Sequence, residues 1–147
     1  IDAGFGKTAN FVRLGKDLEA YNIELNPDIE TKKNILGEST NQVKGYEPQV
    51  TLDTYYAYEG DALYNQLLSI VNSRATGSQC VTKVCDVILD TDGTIVSAYQ
   101  EDAIVVPTSV GGGTEGVNIP FEVHYNGNRT DVTAKAAITG GKLTITS

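Results

Sequence analysis

A period of two governs this chain. From Asp28 to Leu36, Ile29, Thr31, Lys33 and Ile35 alternate with Asp28, Glu30, Lys32 and Asn34. Successive side chains of a strand point to opposite faces, so the segment reads as a strand whose second face is wholly polar. The alternation returns from Gln49, with Val50, Leu52, Tyr56 and Tyr58 on one side and Gln49, Thr51 and Asp53 on the other. GESTNQVKGYEP between them (37–48) carries Gly, Ser, Asn and Pro and reads as a long loop or hairpin tip. Two such strands joined by a long excursion predict an extended hairpin with one wetted face. Composition agrees: 16 Thr, 14 Val and 11 Ile, with 8 Tyr and 3 Phe but no Met or Trp, make a chain suited to pleated surfaces.

One helix interrupts the strands. In EGDALYNQLLSIVNSRATG, Leu63, Leu67, Ile70 and Val71 fall on one stripe, which predicts a helix over about 59–74. Glu59 and Asp61 stand at its start, Arg74 in its last turn and Gly77 as its glycine cap, the polarity a helix dipole favours. Only strands are expected afterwards. Cys80 to Leu89 turns at DTDG into Thr94 to Val106, Gly93 supplying the positive φ, with a bulge or break at residues 100–102. The glycines of 111–116 form a flexible loop. Val117 to Tyr125 follows, with Phe121, Val123 and Tyr125 opposite Glu122 and His124. Val132 to Ile138, with Val132, Ala134, Ala136 and Ile138 inward, and Leu143 to Ile145 close the chain. The expectation is a mainly β fold of two packed antiparallel sheets, sandwich- or barrel-like, with one flanking helix. A length of 147 residues suits one domain over 11–147. Residues 1–10, short and polar, read as an N-terminal arm, mobile unless held down. The first residue is not Met, so the numbered start need not be the translated one.

Charge and motifs exclude more than they assign. Eleven basic against 19 acidic residues give a formal net charge of −8, which disfavours binding to phosphates. No apolar run approaches the ~18 residues of a membrane span. GGGTEG at 111–116 matches a dinucleotide fingerprint in letters, but a strand carrying Pro120 follows where a helix N-terminus is required. GFGKT at 4–8 lacks the first glycine of a P-loop, since Ile1 stands there. DTDG at 90–93 has two acids of a calcium loop and reads as a hairpin turn. His124, the only histidine, lies on a polar strand face with no local partner for a triad. Cys80 and Cys85, read on one strand, sit roughly 16 Å apart on opposite faces, too far for a disulfide and wrongly spaced for zinc. Asn128-Arg129-Thr130 is a glycosylation sequon with nothing to indicate secretion. These readings assign no catalytic, cofactor or metal role to any residue.

Four strings carry a resemblance: FVRLGKDL at 11–18, NPDIETKKNILGE at 26–38, GYEPQVTLDTYYA at 45–57 and DALYNQLL at 61–68. With the order of elements, they resemble the tail tube (major tail) proteins of long-tailed bacteriophages, relatives of the tubes of contractile tails and type VI secretion. The resemblance implies a non-enzymatic subunit that forms hexameric rings, whose inner strands join into one barrel and which stack into a conduit for DNA. It implies self-association, contacts with tape measure and with tail terminator or tip proteins, no membrane partner, and a place in the virion tail after assembly in the bacterial cytoplasm. Asp28, Glu30, Lys32, Asn34, Gln49, Thr51 and Asp53 become candidates for the lumen face. Glu38, Asn41, Lys44 and Tyr46, with Phe5 and Lys7 of the arm, become candidates for contacts between subunits and rings. An acidic wall would repel phosphates and let DNA pass. The glycine-rich loop at 111–116 matches no feature of that family.

Other classes remain open on the residues alone. An inner-tube subunit of a contractile tail, a tailocin or a secretion apparatus carries the same implications. A monomeric β-sandwich binding module would use exposed aromatics such as Tyr55, Tyr56 and Tyr58 for stacking.

Overall fold

A computed structural model of the chain describes residues 1–15, 18–57 and 60–147. The fold is mainly β, with several antiparallel sheets and one helix in a sandwich-like arrangement. Its strands are β1 (Pro27–Lys33), β2 (Ser39–Tyr46), β3 (Gln49–Leu52), β4 (Val81–Leu89), β5 (Ile95–Pro107), β6 (Gly111–Gly113), β7 (Gly116–Asn118), β8 (Phe121–Tyr125), β9 (Thr130–Asp131), β10 (Ala136–Thr139) and β11 (Lys142–Ile145). The helix α1 spans Ala62–Ser73. A central sheet runs in the order β3-β8-β5-β4, with β9 paired to β5; β1-β2, β6-β7 and β10-β11 are separate two-stranded ribbons.

The core lies on one face of the central sheet. Val50 and Leu52 of β3, Phe121 and Val123 of β8, Val105 and Ala103 of β5 and Val84 of β4 are buried together with Leu63 and Leu67 of α1. Tyr55 packs edge-on to Phe121, ring centroids 5.4 Å apart, and Ile119 is fully buried beside them. Asp61 caps α1, accepting from the Leu63 and Tyr64 amides and, at 2.6 Å, from the Tyr55 hydroxyl. Burial and the Asp61 carboxylate together hold the Tyr55 hydroxyl well above the ordinary tyrosine pKa. The helix stops where Arg74, not glycine, takes the left-handed conformation with φ 49° and returns its amide to Ile70 and Val71. The expected Glu59 at its start lies outside the described residues, as does Tyr58.

Several expected boundaries move for identifiable reasons. Cys80 belongs to a 3-10 turn, Gly77–Cys80, before β4 begins, and both cysteines are free thiols. Strand β5 runs unbroken through residues 100–102, because buried Glu101 finds the Arg129 guanidinium at 3.1 Å; the irregularity falls instead between Ile88 and Leu89. Pro120 lacks an amide and splits 117–125 into β7 and β8. The glycines of 111–116 pair as the β6-β7 ribbon rather than forming a loop. Between Val132 and β10 the backbone turns, so Val132 is buried while Ile138 is exposed.

Residues 1–10 are not a free arm. Ile1, Asp2 and Ala3 are buried, the Asp2 amide donates to the Lys83 carbonyl and the Thr82 hydroxyl donates to the Asp2 carbonyl. The Asp2 carboxylate accepts from the Gly4 and Asn10 amides at 2.8 Å each, closing the segment into a loop. Gly4 must be glycine there: a Cβ would lie 2.3 Å from the Thr8 carbonyl oxygen.

Candidate functional site

Two surfaces of this fold are largely uncovered. The first is the face of the central sheet turned away from the core. Cross-strand register places Gln49 beside His124 and Thr51 beside Glu122, then His124 beside Ile104 and Glu122 beside Val106. Strand β4 continues the face with Val81 opposite Ile104, Lys83 opposite Asp102 and Cys85 opposite Gln100. None of these residues is fully buried. His124 Nε2 lies 3.0 Å from the Glu122 carboxylate. Among the described residues, the free edges of the two outer strands are met where Glu24 bridges Gln49 and where Asp2 bonds to Lys83 and Thr82. Open edges of this kind invite pairing with another chain.

The second surface is the β1-β2 ribbon. Asn34 makes its turn: the Asn34 carboxamide oxygen accepts from the Leu36 and Glu38 amides, and its Nδ2 donates to Glu38 at 2.6 Å. Seven residues at about 3.3 Å each make a ribbon roughly 23 Å long. Its two strands are joined at the base by Asn26 Nδ2 donating to the Glu47 carbonyl and by the Glu47 amide donating to the Leu25 carbonyl. Beyond that base nearly every residue is exposed on both faces. One face pairs Ile29 with Val43 and Thr31 with Asn41; the other holds Glu30 between the Lys44 ammonium at 3.0 Å and Lys32 at 3.4 Å. At the tip, Ile35 is 103% exposed and Leu36 78%. Two aliphatic side chains held out at the end of an exposed ribbon are the least expected feature of a solvated monomer.

A polar cluster sits at the β4 side of the core face. The Tyr125 hydroxyl donates to Asp86 Oδ1 at 2.8 Å, while Asp86 Oδ2 is buried with no hydrogen-bond partner and 4.0 Å from Arg129. Burial pushes the Asp86 carboxyl above its ordinary range, and Glu101 adds to the rise, while Tyr125 and Arg129 pull the other way. Arg129 also covers the Tyr99 ring at 4.6 Å. Among the described residues, no group of His, Cys, Asp and Glu is arranged to hold a metal ion, and no helix is long and apolar enough to cross a membrane.

The structure divides the sequence-derived lumen candidates. Gln49 and Thr51 do share the open sheet face, joined there by Glu122, His124, Lys83 and Asp102. Asp28, Glu30 and Lys32 lie on the ribbon instead, because β1 pairs with β2 and β3 pairs with β8. Asn34 is a turn residue, and Asp53 lies in a bend past the end of β3. Tyr55 rather than Tyr56 turns into the core, since the strand's alternation ends at Leu52. Of the contact candidates, Glu38, Asn41, Lys44 and Tyr46 are exposed, Glu38 beside the turn and the other three on β2, so that 39–46 is a strand rather than a loop. Lys7 is exposed, whereas Phe5 packs against the core. The Ile35–Leu36 tip went unselected in the sequence, though Gly37 and the end of the alternation marked it. No protein-family model matches this chain, and no curated protein matches its sequence.

Proposed function

We propose that this chain is a structural, non-enzymatic subunit that polymerises into stacked six-membered rings forming a phage tail tube through which DNA passes. The observation that carries the reading is the β1-β2 ribbon: it projects about 23 Å from the body with its aliphatic tip uncovered. An isolated two-stranded ribbon is marginal in water and gains its stability from packing against something else. A neighbouring subunit supplies that packing. The open edges of β3 and β4 support the same reading, because a closed ring removes edges by pairing them. The polar face of the central sheet, with Gln49, Thr51, Glu122 and His124, suits a wall that DNA passes without sticking. On this reading the partners are further copies of the chain, with tape measure, terminator and tip proteins at the ends of the tube. The virion tail is its destination after assembly in the host cytoplasm. Electron microscopy of the purified protein tests it. Rings or tubes are expected, and excising 28–45 should abolish them while leaving a folded monomer. A protein that stays strictly monomeric at high concentration overturns the reading.

A further inference from the structure

Asn-Gly occurs once in this chain, at Asn126-Gly127, and Asp-Gly once, at Asp92-Gly93. Either pair has the composition to close a five-membered succinimide ring, because glycine puts no side chain in the way when its amide nitrogen approaches the preceding side-chain carbonyl carbon. Folding decides which of them reacts, since an amide committed to a hydrogen bond is not free to attack. Both pairs are exposed, and both glycines have positive φ. Gly93 is locked: its amide donates to the Asp90 carbonyl at 3.1 Å. Gly127 is not. Among the described residues its amide meets no acceptor, and the exposed Asn126 side chain makes no hydrogen bond. The backbone around it is held on β5, with the Asn126 amide donating to the Asp102 carbonyl at 2.7 Å and the Asp102 amide donating to the Gly127 carbonyl at 3.0 Å.

We propose that Asn126 is a self-modification site, deamidating without an enzyme and releasing the segment that carries Arg129. The Gly127 nitrogen bonds to the Asn126 Cγ, the Cγ–Nδ2 bond breaks, and the Gly127 amide proton leaves with Nδ2 as ammonia. Water then opens the ring. Cleavage at Cγ gives aspartate at position 126. Cleavage at the α-carbonyl gives isoaspartate, which routes the main chain through the former side chain and lengthens it by one methylene. Either product adds one negative charge to the chain's −8. Isoaspartate does more, because the extra methylene falls between the two hydrogen bonds to Asp102 and both cannot keep their geometry. The same segment brings Asn128 Nδ2 to Asp102 at 2.7 Å and Arg129 to Glu101 at 3.1 Å. Glu101 is 7% exposed, so loosening its counter-ion leaves a buried carboxylate unpaired. Asn126 is thus a chemical timer on the Arg129–Glu101 pair, and it acts whether or not the chain assembles into a tube.

The test incubates the full chain in warm neutral buffer, folded and, in parallel, unfolded in urea. Peptide mass spectrometry with electron-transfer fragmentation follows aspartate and isoaspartate at positions 126 and 92. Folding should change the conversion of Asn126 by less than about threefold, but slow isoaspartate formation at Asp92 by about fivefold or more, the worth of one turn hydrogen bond. Asn126→Gln, whose longer side chain does not close the five-membered ring, should keep the fold and lose the product. Anion exchange separates the acidic products. The isoaspartate fraction should unfold at lower urea than Asn126→Asp, which carries the same charge without the extra methylene. Folding that protects Asn126 as strongly as Asp92 overturns the site. An isoaspartate fraction as stable as Asn126→Asp overturns the release of the Arg129 segment and leaves the modification standing.

Discussion

Replacing the hairpin tip by Ile35→Ser with Leu36→Ser separates the stability of the subunit from the stability of its assembly. In the monomer neither side chain is covered, at 103% and 78% exposure. Neither is in the core, and surface changes away from special features usually shift stability by no more than about 0.5 kcal/mol. Urea unfolding of the variant at low concentration should therefore match the wild type in midpoint and slope. The proposed assembly should respond differently. Covering an aliphatic side chain is worth about 1.5–3 kcal/mol, so two of them contribute about 3–6 kcal/mol to each contact. Their loss weakens each contact roughly 10²- to 10⁴-fold. Sedimentation velocity over a concentration series measures the shift, and electron microscopy shows whether rings or tubes survive. Two results refute the reasoning. Destabilisation of the monomer by more than about 1 kcal/mol would mean that the tip already packs on its own body. Association within threefold of the wild type would mean that no neighbour covers it.

The remaining expectations concern the body of the subunit. Tyr55→Phe removes one donor to Asp61 and should cost about 1 kcal/mol, whereas Asp61→Ala loses the helix cap and strands the Tyr55 hydroxyl, costing about 2–4 kcal/mol. Chemical denaturation checks the order, and an Asp61→Ala variant milder than Tyr55→Phe would contradict it. The Asp86 carboxyl is raised in the folded state, so the fold holds its proton more tightly than the unfolded chain does. Its favourable contribution is complete below the ordinary carboxylate pKa of about 4 and is lost as pH rises through the raised value. Asp86→Asn should therefore gain stability relative to the wild type between about pH 4 and pH 7, and parallel melting curves across that range would rule this out.

What could be read in the sequence was local. The α1 stripe lies within twelve residues and the DTDG turn within four, and both form where the pattern places them. The buried Val50 and Leu52 and the half-exposed Glu122 and His124 follow period two in short, regular strands. Pairing was less legible because it is decided between distant residues. Strand β2 is polar on both faces, so no hydrophobic pattern announces it; Asn34 folds it back on β1 through its own side chain, leaving β3 to pair with β8 some seventy residues later. The burial of Ile1 to Ala3 depends on the Lys83 carbonyl and the Thr82 hydroxyl, which no reading of the first ten residues contains. Glu101 looked like a strand breaker for the same reason: its compensating cation, Arg129, comes from twenty-eight residues downstream.

The net charge of −8 takes on a narrower meaning once the side chains are placed. An acidic wall built from Asp28 and Glu30 does not survive, because Lys44 and Lys32 hold Glu30 on the same ribbon. Yet a passage for DNA does not require a concentration of negative charge. Non-specific attraction to the duplex comes from clustered cations that displace counterions from phosphates. What such a wall must lack is unopposed Lys and Arg. On the open sheet face Lys83 stands opposite Asp102, and His124 rests on Glu122. Arg129, nearest the sheet on the core side, is held by Glu101. Lys83 and Arg129 thus each stand beside a carboxylate, and the excess acid elsewhere keeps the long-range field negative. Lys33 is the exception on the ribbon, exposed and without an ion pair among the described residues.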